Sequence, residues 1–357
     1  MVEYLDGGRI QGSSTLTSSP PATSWKELGR TTLSSAGDSI DVSSFAAKDN
    51  LMILCSGNGT TAGQGHPRLR LGNSGIDTGT NYADRHSNNG SSDSTDTSQS
   101  FVYVSESDID HNCLITTFIN NISNREKLII NHSVRQASTG AGNTPSRFES
   151  VGKWANTSNA ITDVEIIGHH TASYDFASGS ELVVLGCDND EADSGTNFWQ
   201  ELADVELTSS STTIDSGTFT AKKYLWIQFY GNQSTGSSDS LLRFNSDSGS
   251  NYARRFSTNG GTDSTSISAT SISNMAGSEG NRDPFYSNMF IINKSDKEKL
   301  VIGELIFAET GAGAGNAPAR REWVAKWTNT SAQITQSVLT SSSNYDTGSY
   351  IKVWGAN

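Results

Sequence analysis

The six histidines of this 357-residue chain, His66, His86, His111, His132, His169 and His170, are its residues best suited to proton transfer or metal binding. Neutral imidazole is a common ligand and titrates near physiological pH. His169 and His170 could offer two nitrogens to one ion, but neighbours on a strand point to opposite faces, which argues against a shared metal. Ser, His and Asp all occur, yet no Gly-x-Ser-x-Gly elbow exposes a nucleophile for a triad. Glycoside hydrolysis needs two carboxyl groups roughly 5–10 Å apart across a cleft. The 38 acidic residues supply many candidates and no motif that selects a pair. The Gly-Ala-Gly-Asn runs at 140–143 and 313–316 lack the strand and helix that flank a nucleotide-binding loop. No catalytic residue and no cofactor is assigned, and the chain is expected not to be an enzyme.

Oxygen donors concentrate in the run from Cys187 to Gly195, where Asp188, Asp190 and Asp193 have the alternate spacing with which calcium loops begin. The glycine is misplaced for an EF-hand, and the twelfth position carries Trp199, beside Gln200, instead of a bidentate carboxylate. A solvated acidic linker is therefore the main expectation, with calcium as the alternative.

The elements that would position such residues come in two copies. WKELGRTTLSSAGDSIDVSSFAAKDNLMILCSGN from Trp25 aligns without gaps on WQELADVELTSSSTTIDSGTFTAKKYLWIQFYGN from Trp199. NYADRHSNNGSSDST from Asn81 meets NYARRFSTNGGTDST from Asn251, and EKLII from Glu126 meets EKLVI from Glu298. GAGNTPSRFESVGKWANTSNAIT from Gly140 meets GAGNAPARREWVAKWTNTSAQIT from Gly313. Internal repeats at this scale define the architecture. The expected organisation is an N-terminal arm (1–24), a first domain (25–187), an acidic linker (188–198) and a second domain (199–357). All six histidines and all three cysteines, Cys55, Cys113 and Cys187, fall before the second domain. His86 meets Phe256, so the fold does not need imidazole there. Three widely spaced cysteines imply neither a disulfide framework nor a zinc site.

Each copy reads as all-β. LMILCSG, YLWIQFYG, ELVVLG and YIKVWG are short apolar runs bounded by Gly, Asn and Ser, and no segment of helical length keeps a 3.6-residue apolar period. The fold class expected is two tandem homologous β-sandwich, jelly-roll-like domains. Charges at matched positions (Arg70 and Arg243, Arg85 and Arg255, Arg147 and Arg320, Glu149 and Glu322, Lys153 and Lys326) are expected to serve the fold in each copy. Trp25, Trp154, Trp199 and Trp327 are matched and expected in cores. Trp226, Trp323 and Trp354 replace Met52, Ser150 and Leu185, which marks them as the place for a glycan or partner surface.

The net charge of −13 without Lys/Arg clusters argues against nucleic acid as a partner. No apolar run is long enough to span a membrane. The opening MVEYLDGGRIQG lacks a basic start followed by an apolar run, so no secretory leader is expected in it. Within residues 1–24, Val2, Tyr4, Leu5 and Ile10 are the apolar positions that could dock on a partner by adding a strand or filling a groove.

The closing pattern of each copy, Lys-Trp-x-Asn-Thr-Ser, then Ile-Thr, then (Ala/Thr)-Gly-Ser-x-(Ile/Leu)-x-Val-x-Gly, resembles virion structural proteins of marine viruses, especially tailed phages. The stretch from Leu242 to Tyr252, LRFNSDSGSNY, is similar to them as well, while the first copy has a longer loop there, LRLGNSGIDTGTNY. The resemblance spans both copies and not the arm. It implies a non-enzymatic structural protein on the virion surface, a capsid decoration or spike docking through its arm on capsid or other virion proteins. It further implies a homo-oligomer, with a trimer favoured. The alternatives it leaves are a double-jelly-roll shell protein and a tail-fibre module that binds a host receptor or glycan.

Overall fold

The computed structural model describes residues 3–4, 10–11, 25–60, 66–105, 111–169, 175–189, 197–233, 239–273, 275, 284–308, 314–315 and 317–357. Among them there is no helix. Two short strands, β1 (Glu3–Tyr4) and β2 (Ile10–Gln11), pair with each other. The first repeat continues through β3 (Lys26–Thr32), β4 (Ser39–Val42), β5 (Asn50–Gly57), β6 (His66–Gly72), β7 (Tyr82–Asn88), β8 (Ser94–Gln99) and β9 (Val102–Tyr103). It ends with β10 (Cys113–Asn120), β11 (Lys127–Arg135), β12 (Ser146–Trp154), β13 (Asp163–His169) and β14 (Glu181–Cys187). The second repeat has β15 (Gln200–Glu206), β16 (Ser211–Asp215), β17 (Tyr224–Gly231), β18 (Ser240–Phe244), β19 (Tyr252–Thr258) and β20 (Ser264–Ala269). It closes with β21 (Phe285–Ile292), β22 (Lys299–Ala308), β23 (Pro318–Trp327), β24 (Ser337–Tyr345) and β25 (Tyr350–Ala356).

The chain is all-β and each repeat builds a two-sheet sandwich. In the first, eight strands lie in the order β3-β14-β5-β10-β11-β12-β7-β8 opposite the smaller sheet β4-β13-β6-β9. In the second, β15-β25-β17-β21-β22-β23-β19-β20 lies opposite β16-β24-β18, so the order of the large sheet repeats strand for strand. Inside the large sheet, β5 is apolar on both faces from Leu51 to Cys55. β5, between β14 and β10, buries Leu51, Ile53 and Cys55 against the small sheet and also buries Met52 and Leu54 on the other side. The edge strands β8 and β20 are Ser- and Thr-rich and solvent-facing, which blunts edge pairing.

The chain divides into two compact units whose limits differ from those of the repeats. The first comprises Met1–Ser87, Ser92–Ser133 and Phe148–Gln200; the second comprises Asn88–Ser91, Val134–Arg147 and Glu201–Asn357. The end of the expected linker therefore belongs to the first unit. Phe198 and Trp199 are buried there, the Phe198 N–H donates to the Trp25 carbonyl at 3.0 Å, and Arg30 lies over the Phe198 ring. Two adjacent aromatic rings are too apolar to remain in a solvated linker.

The side chains that tie strands to loops are duplicated. Asp77 accepts hydrogen bonds from Trp154 Nε1 at 2.8 Å, Asn81 Nδ2 at 2.9 Å and the Gly79 N–H at 2.8 Å. Asp247 does the same for Trp327, Asn251 and Gly249. The Asp-x-Gly-x-Asn loops are thus turns locked onto a core tryptophan. Lys127 and Lys299 are wholly buried, and each ammonium donates to three carbonyls that close a loop end. Burial pushes the Lys299 amine down to about 8.

Burial pushes the Asp77 carboxyl up, but the bonds from Trp154, Asn81 and Gly79 outweigh it and hold the group below its ordinary value. Its stabilisation is therefore present above the unfolded value near ~4 and is lost as pH falls through the folded one. Asp77→Ala, which orphans three donors, should cost about 2 kcal/mol at pH 7 in urea unfolding. The gap between wild type and variant should close below pH ~4. A gap that stays constant across that range would show that the carboxylate charge plays no part.

Candidate functional site

The residues singled out by type fall in different places. Asp190 and Asp193 lie outside the described residues. Asp188 places one carboxylate oxygen 2.7 Å from Lys48 Nζ and the other 3.0 Å from the Asp49 N–H, so it fastens the end of β14 to the chain before β5. Asp188 thus serves as a strand-end tie. His170, Val2 and Leu5 lie outside the described residues, while Tyr4 and Ile10 are register partners in the β1–β2 pair.

The tryptophan surface is also corrected. Trp323 is 3% exposed in the core of the second unit and Trp354 is 2% exposed, so neither ring can stack on a sugar. Trp323 replaces Ser150, and opposite it Gly303 replaces Asn131. A Cβ at Gly303 would meet the indole at 2.2 Å, so the larger ring fits because its strand partner lost its side chain. In the first unit the same pair is a hydrogen bond, Asn131 Nδ2 to Ser150 Oγ at 3.2 Å. Trp226 is half-buried, donates to Asn288 Oδ1 at 2.6 Å and stacks between Phe290 and Trp354.

One cluster of ligand-type side chains was not picked out from the sequence. β7 alternates so that Tyr82, Asp84 and His86 share a face, and register pairs Asp84 with Asp96 on β8. Asp84, His86 and Asp96 bring two carboxylates and an imidazole within 4.8 Å of one another. His86 Nδ1 lies 2.8 Å from Asp84 Oδ1 and 3.9 Å from Asp96 Oδ2, and its ring packs on Phe148 and Tyr103. Asp84 Oδ2 accepts the Tyr103 N–H at 3.3 Å. Burial pushes the Asp84 carboxyl up, against the pull of those hydrogen bonds. The donor set suits a divalent ion in type and number, but both oxygens of Asp84 are already engaged, Oδ1 with His86 on the same strand and Oδ2 in holding β7 to β9. A carboxylate behind an imidazole also orients it for proton transfer. The second repeat has Arg254, Phe256 and Ser266 at these positions, with Arg254 over the Phe256 ring, so the site is not duplicated. The available signal was Asp-x-His at strand period two.

Beside this cluster, the outer face of the large sheet in the first unit is open. Leu128, Ile130 and Val151 line a groove of about 520 Å³ together with Ala83, Arg85 and Lys153. A smaller polar recess of about 220 Å³, lined by Arg85, His86, Asp93, His132 and Glu149, lies nearby on the same sheet. The matched positions in the second unit are covered. Leu128, Ile130 and Val151 are 60%, 55% and 50% exposed, against 0%, 5% and 1% for Leu300, Ile302 and Val324. Lys153 is likewise exposed and Lys326 buried. Equal sequence therefore does not give equal environment, which corrects the expectation that the matched charges serve each copy alike. Arg70 and Arg243 do keep like roles, each bonding a carbonyl after the outer hairpin.

No family model and no curated protein matches the chain. Among solved structures, the LG1-3 region of the laminin alpha2 chain is similar at 9% identity over 89% of this chain, with a TM-score of 0.21. Mouse laminin alpha1 domains LG4-5 are similar at 10% identity over 95%, with a TM-score of 0.20. The chain spans 64% of the former and 90% of the latter. Neither likeness carries an argument about this protein.

The difference between the two faces is measurable one residue at a time. Ile302→Ala should destabilise by about 2–4 kcal/mol, as expected for a buried position. Ile130→Ala, at the matched exposed position, should stay within about 0.5 kcal/mol when unfolding is followed on dilute protein. Equal losses at both positions would show that the first unit's face is covered in the free chain.

Proposed function

We propose that this is a non-enzymatic structural protein of a virus particle, carried on the particle surface as a decoration or spike and present in several copies. The observation that carries the reading is the open apolar face of the first unit. Phe118, Leu128, Ile130 and Val151 are four of the six large apolar side chains exposed among the described residues, and all belong to β10–β12. A contiguous exposed apolar patch on a sheet face is a surface built for assembly. The resemblance of the closing strand pattern to virion proteins supplies the setting. In this reading residues 1–24 tether the chain to the capsid, and the acidic surface keeps it soluble at high local concentration.

Gradient-purified particles from the culture that carries this sequence, analysed by mass spectrometry and immunogold labelling, test the proposal. The chain should band with intact particles in stoichiometric amount and label their outside. Its absence from particles, with the chain found free in the lysate, would overturn the reading.

A further inference from the structure

The open face has a counterpart that is already filled, and what fills it also occurs twice in the chain. Within the second unit, the segment Val134–Arg147 runs along the outer face of the large sheet. The Gly140 N–H donates to Glu298 Oε1 at 2.6 Å, and Lys326 Nζ donates to the Ser138 carbonyl at 2.5 Å. The Ser268 N–H donates to the Ala141 carbonyl at 2.7 Å, and Arg255 Nε to the Pro145 carbonyl at 3.0 Å. Arg147 pairs with Asp263 at 2.6 Å, both side chains being buried.

The receiving residues Arg255, Asp263, Ser268, Glu298 and Lys326 align with Arg85, Asp93, Ser98, Glu126 and Lys153 of the first repeat. Even the backbone matches: Ser268 and Ser98 both adopt left-handed φ, 47° and 53°. The inserted Gly-Ala-Gly-Asn-x-Pro-x-Arg of 140–147 recurs as 313–320. The chain thus carries insert and receiving face twice, and its second unit uses one of each. The remaining pair is exposed: the side chains of Arg320 and Asp93 are 66% and 52% accessible, against 5% and 3% for Arg147 and Asp263.

We propose that the outer face of the first unit, from Asp93 across Ile130 and Val151 to Glu126 and Lys153, receives residues 311–320 of a second copy of this chain, with Arg320 pairing to Asp93. Three features select that occupant. The charges are complementary, because the insert ends on Arg320 and the face presents Asp93. The apolar stripe occupies the positions that are buried in the second unit at Leu300, Ile302 and Val324. The insert sequence is the one the matched face already accepts. Each copy gives at one place and receives at another, so the contact is heterologous and generates a ring where the rotation closes or a filament where it does not. A three-membered ring would be the trimer. This deepens the particle-surface reading, and rests on it only for the premise that many copies gather in one place.

Sedimentation velocity and mass photometry of the purified full chain over a concentration series test it. Wild type should form concentration-dependent multiples. Ile130→Asp damages the receiving face and Arg320→Ala the insert. Both residues are exposed, so circular dichroism should be unchanged, and each variant should associate about a hundredfold more weakly or worse, appearing as monomer. An equimolar mixture of the two should stop at dimers, because only one intact face and one intact insert remain between them. A wild type that stays monomeric well above micromolar concentration overturns the proposal, and so does association that survives either variant or a mixture that grows past dimers. Particle association of a chain that is monomeric in solution leaves the particle reading standing without this contact. Self-association of a chain absent from particles leaves the contact without the particle.

Discussion

A β-sheet that carries apolar side chains on both faces needs two covers, and the smaller sheet of each sandwich supplies only one. The large sheets here are of that kind. Toward β5 and β14 the outer face is closed over Met52 and Leu185, and toward β11 and β12 it is open over Leu128, Ile130 and Val151. Covering the remaining half of those three side chains is worth roughly 3–4 kcal/mol in total. That is at the bottom of the ~4–15 kcal/mol that a second molecule loses in translational and rotational freedom on docking. The stripe alone therefore does not hold a neighbour, and the polar contacts around it decide whether one stays.

Those polar contacts are the charges at matched positions. Lys326 and Glu298 are 3.2 Å apart with both side chains buried, and burial pushes the Lys326 amine down while Glu298 pulls it back up. Removing such a pair from water costs about as much as the attraction returns, so its net contribution to stability is small. Its contribution to register is large. A one-residue slip of Val134–Arg147 would separate the buried Arg147 from Asp263 and take the Gly140 N–H from Glu298, and breaking a buried pair costs about 3–5 kcal/mol. Lys153 and Glu126 form the same pair in the open, at 3.1 Å, where solvent screens it. The chain therefore contains the same ion pair in a specifying and a nearly neutral setting.

The fold was legible in the sequence for a physical reason. Positions that face between two sheets must be apolar in every copy, so Trp154 and Trp327, Ile53 and Ile227, and the Asp77 and Asp247 turns align visibly and occupy like places. What covers the outer face was not legible, because alternation along a strand reports that a side is apolar and not what lies against it. Leu128 and Leu300 are the same residue in the same motif, one exposed and one wholly buried. Trp354 was misread by the same gap, and Trp323 because the glycine that makes room for it in the core, Gly303, lies on a neighbouring strand rather than beside it in sequence. The Asp84, His86 and Asp96 cluster depends on the pairing of β7 with β8, and register across a Ser- and Asn-rich hairpin is weakly specified by its residues.

Duplication of a domain that carries both an insert and a face for it has a directional consequence. Within one chain, one insert and one face meet at an effective concentration set by covalent linkage, of millimolar order. That contact forms at any dilution, which is why Arg147 and Asp263 are fully buried in a single copy. The proposed second pair, Arg320 with Asp93 of another copy, forms by collision between copies, so it would respond to how crowded the chains are. A surface that gathers copies, as the proposed particle shell would, raises that concentration without adding any contact to the protein. The same sequence motif would then act as a permanent tie inside the chain and a conditional one between chains, with the covalent link as the sole difference between the two.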